Sequence, residues 1–115
     1  MRVKSSFGGL LGLLFCLFSI SVGNAQTTGT IRGRVTDPSG AVVPDANVRA
    51  LQSSTHVSRG TMTNESGDYE LLALPVGRYT VTVQATGFSE ARLHEIDVRI
   101  GHVTTVDVRL ELGQL

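Results

Sequence analysis

The chain has 115 residues, 10 basic against 10 acidic side chains, one cysteine and no tryptophan. That length suits a single domain, and the balanced charge supplies no excess of basic groups for a nucleic-acid surface. A lone cysteine excludes an intrachain disulfide.

The first 25 residues read as a helical secretory signal peptide rather than as part of the domain. Arg2 and Lys4 give a short positive start, an apolar run follows from Phe7 to Val22, and Gly23, Asn24 and Ala25 place small residues before Gln26. That order is the signature of an exported protein. The apolar run is shorter than the ~20 residues that cross a bilayer core, and no positive stop follows it, so a membrane span is not expected. Cys16 lies inside the run behind Leu13, Leu14 and Phe15, where lipoprotein processing would need a small residue, so it leaves with the signal. Residues 26–115 then form the mature chain, with eight arginines, no lysine and ten acids, a formal charge of 2 negative. The arginines are scattered among acids. The remaining aromatics, Tyr69, Tyr79 and Phe88, are too few for a base-stacking platform.

Beyond Gln26 the hydropathy repeats every second residue, which is the period of a half-buried strand. Ile31 and Val35 share a face with Gly33, while Arg32 and Arg34 point to water. Asp37-Pro38-Ser39-Gly40 is a turn, with proline presetting the bend and glycine closing it. Val48 and Ala50 form a short inward pair. Asn64-Glu65-Ser66-Gly67-Asp68 is a second turn, joining a strand around Arg59–Thr63 to one at Tyr69–Leu71. Pro75-Val76-Gly77 ends a loop before the alternation of Tyr79, Val81 and Val83. Ile96, Val98 and Ile100 alternate next, and Val106, Val108, Leu110 and Leu112 last. Leu93 is out of phase with Ile96, which predicts a bulge or a bend at His94-Glu95; Val103 is likewise out of phase with Val106. No window has helical spacing, and β-branched residues dominate the runs. The expectation is an all-β sandwich of about seven strands. Its core is predicted to be Ile31, Val35, Val48, Tyr69, Leu71, Tyr79, Val81, Val83, Ile96, Val98, Val106, Val108 and Leu110.

Three blocks carry a family resemblance that spans the mature chain. They are Gly33-Arg34-Val35-Thr36-Asp37 with Val43-Pro44-Asp45-Ala46-Asn47-Val48, then Thr63 to Tyr69, then Leu74-Pro75-Val76-Gly77-Arg78-Tyr79-Thr80-Val81 with Gly87-Phe88. Together they resemble the carboxypeptidase regulatory-like domain. The resemblance implies a transthyretin-like (prealbumin-like) sandwich of the carbohydrate-binding-like group, an accessory module with no catalytic residues. A signal peptide leading into such a domain also resembles the amino-terminal end of certain TonB-dependent outer-membrane receptors. In those a plug and a large barrel follow, and a barrel needs many more strands of about ten residues each. With Leu115 as the last residue, the expectation is either a free-standing module or a fragment related to a receptor.

Candidate chemistry is thin. His56, His94 and His102 lack the spacing of metal ligands. Asn64, Glu65, Asp68 and Glu70 lack the long alternating oxygen series of a calcium loop. Ser39, Ser53, Ser54 and Ser58 have no oriented base, and Asp37 with Asp45 reads as a solvated turn pair rather than a glycosidase pair. Asn64-Glu65-Ser66 fits a glycosylation sequon. No catalytic, cofactor-binding or metal residue is assigned, and no cofactor is implied. Two function classes remain open. One is a non-enzymatic structural or interaction module of the cell envelope, periplasmic, outer-membrane-associated or secreted, whose partner is an envelope protein or receptor barrel. The other is a carbohydrate-binding module, for which the sequence offers Phe88 as its only exposed ring. Arg32, Arg34, Arg49 and Arg59 are expected on outward strand faces, either as a contact surface or for solubility.

Overall fold

The computed structural model describes residues 27–113; the signal segment 1–25 lies outside the described residues. Eight strands follow in order: β1 (Thr28–Thr36), β2 (Asn47–Gln52), β3 (Ser58–Met62), β4 (Asp68–Pro75), β5 (Gly77–Gln84), β6 (Ala91–Val98), β7 (Val103–Thr105) and β8 (Val108–Arg109). One sheet has the order β4-β1-β7, with β8 also on β1, and the other β3-β2-β5-β6. The β1–β7 and β1–β8 pairs are parallel and the rest antiparallel. Among the described residues no helix is long and apolar enough to cross a membrane.

The two sheets close on a shared apolar layer, as two-sided alternation demands. Ile31, Val35, Val48, Tyr79, Val81, Val83 and Leu110 lose all solvent contact. Every residue of the predicted core is buried except Ile96, which is half-buried at the edge strand β6 and packs on the core from its rim. Leu74, Ala46, Ala50 and Val43 complete the layer. Ile100 and Leu112, apolar and in phase with inward neighbours, are instead 55% and 69% exposed, because the chain has left the sheet at both positions.

The phase slips are structural. Tyr79 faces Ile96 while Val81 faces Leu93, so Thr80 alone stands against His94 and Glu95, and Glu95 takes a φ of 61°. The final alternation is interrupted between β7 and β8, which makes eight strands where about seven were expected. The Asn64–Asp68 turn carries the chain from one sheet to the other, since β3 pairs with β2 and β4 with β1. Pro75-Val76-Gly77 is not the end of a loop. β4 runs to Pro75 and β5 starts at Gly77, leaving Val76 as a one-residue corner between sheets. Leu72 and Ala73, absent from the alternation, form a bulge in β4 opposite Thr30, with Ala73 at a φ of 55°.

Gly33 shows why a glycine interrupts the apolar face of β1. A Cβ there would lie 1.8 Å from the Val106 carbonyl oxygen and 3.0 Å from the Tyr69 hydroxyl. The missing side chain lets Val106 approach β1, and Tyr69, opposite Gly33 in register, fills the remaining space and donates to the Val106 carbonyl at 2.5 Å.

Candidate functional site

A surface depression of about 680 Å³ is lined by Arg32 and Arg34 of β1, Asp68 and Glu70 of β4, Thr61 and Met62 of β3, Asn64, Thr105 and Asp107. Strand register builds it. Arg32 stands directly opposite Glu70 and Arg34 opposite Asp68, so two cross-strand ion pairs form on one face. Arg32 Nη2 donates to Glu70 Oε2 at 2.8 Å, and Arg34 Nε to Asp68 Oδ1 at 2.8 Å. Hydrogen bonding from Arg34 holds the Asp68 carboxyl below its ordinary range, and Asp68 in return raises Arg34. Asp107 accepts the Arg34 backbone N–H at 2.9 Å. The pattern Arg-x-Arg on one strand and Asp-x-Glu on another is visible in the sequence, and with the pairing known it predicts both bridges. Read strand by strand, the four charges look unrelated.

The acidic turn considered for calcium is engaged otherwise. Asn64 Oδ1 accepts the backbone N–H groups of Ser66 and Asp68 at 2.9 and 3.0 Å, while Asp68 and Glu70 are matched by guanidinium groups. Asn64 of the sequon is exposed. The three histidines fall in separate places: His56 in the β2–β3 turn with a φ of 64°, His94 in the β6 bulge, and His102 after the β6–β7 turn. His94 Nδ1 lies 3.3 Å from Thr80 Oγ1, and His102 Nδ1 2.8 Å from the Ile100 carbonyl. Among the described residues no three His, Cys, Asp or Glu side chains gather as a metal site.

The serines and turn aspartates serve the backbone. Ser39 Oγ donates to Asp37 Oδ1 at 2.6 Å, and the same oxygen accepts the N–H of Ser39 and of Ala41. The Ser39 bond, with the backbone donors, pulls the Asp37 carboxyl down. Ser58 Oγ accepts from Arg49 at 3.1 Å, and Ser53 and Ser54 are exposed in the β2–β3 turn. Asp45 is exposed in the stretch leading to β2, with a φ of 59°.

Tyr69 and Tyr79 are buried, as their strand phase predicted, and Phe88 is half-buried against the core. Tyr79 donates to the Pro75 carbonyl at 2.6 Å, and burial pushes both phenols above their ordinary range. Among the described residues two buried polar side chains, Gln52 and Thr63, escaped the sequence reading. Gln52 Nε2 reaches the Val76 carbonyl at 3.1 Å and Thr55 donates to its Oε1 at 2.8 Å. Thr63 Oγ1 donates to the Val43 carbonyl at 2.7 Å and accepts the Ala46 N–H at 2.8 Å. Polar residues inside a sandwich are tolerated when satisfied in this way.

One arginine is not on the outward face expected of it. Residues paired across antiparallel strands share a face, and Arg59 pairs with the buried Ala50. It therefore extends over the open side of the sandwich, with Nη1 3.4 and 3.3 Å from the Leu72 and Ala73 carbonyls. Arg32, Arg34 and Arg49 do point outward.

The model of the carboxypeptidase regulatory-like domain matches residues 30–111. The chain belongs to that family. An uncharacterised protein of Mycolicibacterium smegmatis is 35% identical over 80 residues, covering 61% of this chain and 86% of its own length. Among solved structures, the TIE protein of Bacillus anthracis aligns with a TM-score of 0.60 at 20% identity, over 75% of this chain and 17% of its own. Chlorocatechol 1,2-dioxygenase from Pseudomonas putida aligns at 0.58 with 12% identity, over 79% and 63%. A protein of Bacteroides uniformis named for carbohydrate binding aligns at 0.58 with 15% identity, over 70% and 40%. This chain thus spans less than two thirds of each of these three solved chains. At such identities the likeness is one of fold: the same β-sandwich accompanies proteins of quite different names.

Proposed function

We propose that this regulatory-like domain is a non-enzymatic structural and interaction module of the cell envelope. It is exported by the signal at residues 1–25 and stands as, or is related to, the leading module of a TonB-dependent receptor. The observation that carries the non-catalytic part is how fully the polar groups are used. In the depression described above Arg32 and Arg34 are matched by Glu70 and Asp68, and the buried Gln52 and Thr63 side chains are satisfied by the backbone or by Thr55. A catalytic site keeps a nucleophile, acid or base poised toward an open space. Recognition then falls to strand edges and faces, a mode carried by backbone hydrogen bonds. Cell fractionation with amino-terminal sequencing and photo-crosslinking tests this reading. It expects a mature chain starting at Gln26 in the envelope, crosslinked to an outer-membrane barrel. An unprocessed chain in the cytoplasm, or substrate turnover by the purified protein, overturns it.

Carbohydrate binding is the second reading, favoured by the named Bacteroides uniformis neighbour. The burial of Tyr69 and Tyr79 leaves few rings to stack on a sugar. Calorimetric titration with envelope glycans and no saturable heat removes it.

A further inference from the structure

A sandwich of two open sheets has four edges, and three of them are spoiled for strand addition. β4 is bulged at Leu72-Ala73, and two of its carbonyls take Arg59. β6 is bulged at His94-Glu95. The third strand position of the first sheet, on the far side of β1, is split into the short pieces β7 and β8. Bulges and short edges of this kind are how β proteins prevent unwanted pairing. β3 is different: all five of its residues pair with β2 in unbroken register.

The pairing also shows which of its backbone groups face outward. Gln52 N–H donates to Val57 C=O, and Thr63 N–H to Ala46 C=O. Antiparallel ladders alternate bonded and non-bonded pairs, so Arg59 and Thr61 bond inward to β2. Ser58, Gly60 and Met62 turn their N–H and C=O groups to the open edge. Among the described residues nothing pairs with them. Met62, at the end of this edge, is 57% exposed.

Charge selects the occupant. From Ala46 to Asn64 there is no acidic residue, but there are Arg49, His56 and Arg59. Arg32, Arg34, Arg78, Arg92 and Arg99 each bridge a carboxylate; among the described residues Arg49, Arg59 and Arg109 bridge none, and Arg109 lies away from β3, donating to the Pro38 carbonyl. The Arg49 guanidinium bends over Gly60, 4.0 Å from where a Cβ would sit, and so reaches toward the edge. A second copy would bring its own arginines against these, which like-charge repulsion disfavours.

We propose that the outer edge of β3 is a strand-addition site for an extended acidic segment of a partner protein. The segment hydrogen-bonds to Ser58, Gly60 and Met62 and places a carboxylate at Arg49. The inference rests on the interaction-module reading and names the edge and partner chemistry within it.

The test uses the 15N-labelled full chain and two end-capped eight-residue peptides, one alternating glutamate with threonine, the other lysine with threonine. The expected result is that the glutamate peptide shifts the amides of Ser58, Gly60 and Met62 and slows their hydrogen exchange. The lysine peptide should bind at least about tenfold more weakly, and added salt should narrow the gap. Gly60→Pro removes an outward N–H, which an edge strand tolerates. A Cβ at residue 60 meets nothing closer than the Val48 carbonyl at 3.6 Å; the variant is expected to fold and to lose the peptide. Should Gly60→Pro fail to fold, Arg49→Gln keeps the test open by reducing glutamate-peptide binding to the lysine level. No response to the glutamate peptide, equal response to both, shifts confined to another edge, or self-association at β3 in place of peptide binding overturns the proposal. A folded Gly60→Pro chain that still crosslinks to its envelope partner overturns the edge assignment and leaves the envelope reading standing. A cytoplasmic, unprocessed chain does the reverse.

Discussion

Replacing Tyr69 with phenylalanine removes one hydroxyl and leaves the ring, the strand and the turn in place. The hydroxyl is buried and donates at 2.5 Å to the Val106 carbonyl, at the point where Gly33 lets the last part of the chain close over β1. Tyr69→Phe leaves that carbonyl without its donor, which costs about 1–3 kcal/mol. For a domain of this size that is a fall in Tm of about 4–8 °C per kcal/mol. Gly33→Ala acts on the same carbonyl from the other side, since its Cβ would sit 1.8 Å from it and force Val106 away. Once Val106 has moved, the tyrosine bond is already lost, so the double variant should be less destabilised than the two singles summed, by about 1 kcal/mol. Urea titrations of the four proteins, with unchanged m values, measure this. A Tyr69→Phe loss below about 0.5 kcal/mol, or an additive cycle, would refute the view that Gly33, Tyr69 and Val106 act as one fastening.

Thr63→Val keeps the volume but strands the Ala46 N–H and the Val43 carbonyl, so denaturant titration should show a loss of about 2 kcal/mol or more. Asp37, Asp68 and Glu90 all have carboxyl pKa values lowered by hydrogen bonding in the folded state. The stability they add is therefore present above the unfolded carboxylate range and lost as pH falls through the lower folded values; Tm against pH should drop below about pH 4. Burial raises Tyr69, and a raised pKa has the opposite sign. Its contribution is complete below about pH 10 and declines above it, and Tyr69→Phe should flatten that alkaline limb. Arg59→Thr removes the inward charge of β3, and sedimentation velocity should then show more self-association than in the parent chain.

How much of this was legible depended on whether a residue's neighbours lie along the chain or across it. The strands of Tyr79–Val83 and Ile31–Val35 announce themselves by period two, and a broken period located the His94-Glu95 bulge. Leu74 and Val43 were missed because they enter the core where no alternation surrounds them, beside a bulge and after a turn. Gln52 and Thr63 were missed for a stronger reason. Hydropathy sends such residues to water, and only carbonyls contributed by distant segments make their burial affordable. Arg59 misled because Gly60 and Thr61 give β3 no apolar phase, so nothing local told which face was inner.

The same distinction bears on function. Ion pairs such as Arg34–Asp68 are exposed, and exposed pairs are worth little to stability; what they do is consume the charges of the outer face of β1 and β4. Arg49 and Arg59 are left without carboxylates on the one edge whose backbone is regular, while bulges and breaks disfigure the other three. If solubility alone had shaped this surface, spoiling the fourth edge would have needed no more than a proline at Gly60, where a Cβ meets nothing closer than 3.6 Å. Under the proposed reading, an edge kept regular, charged and unpaired among guarded ones is kept so for a partner strand.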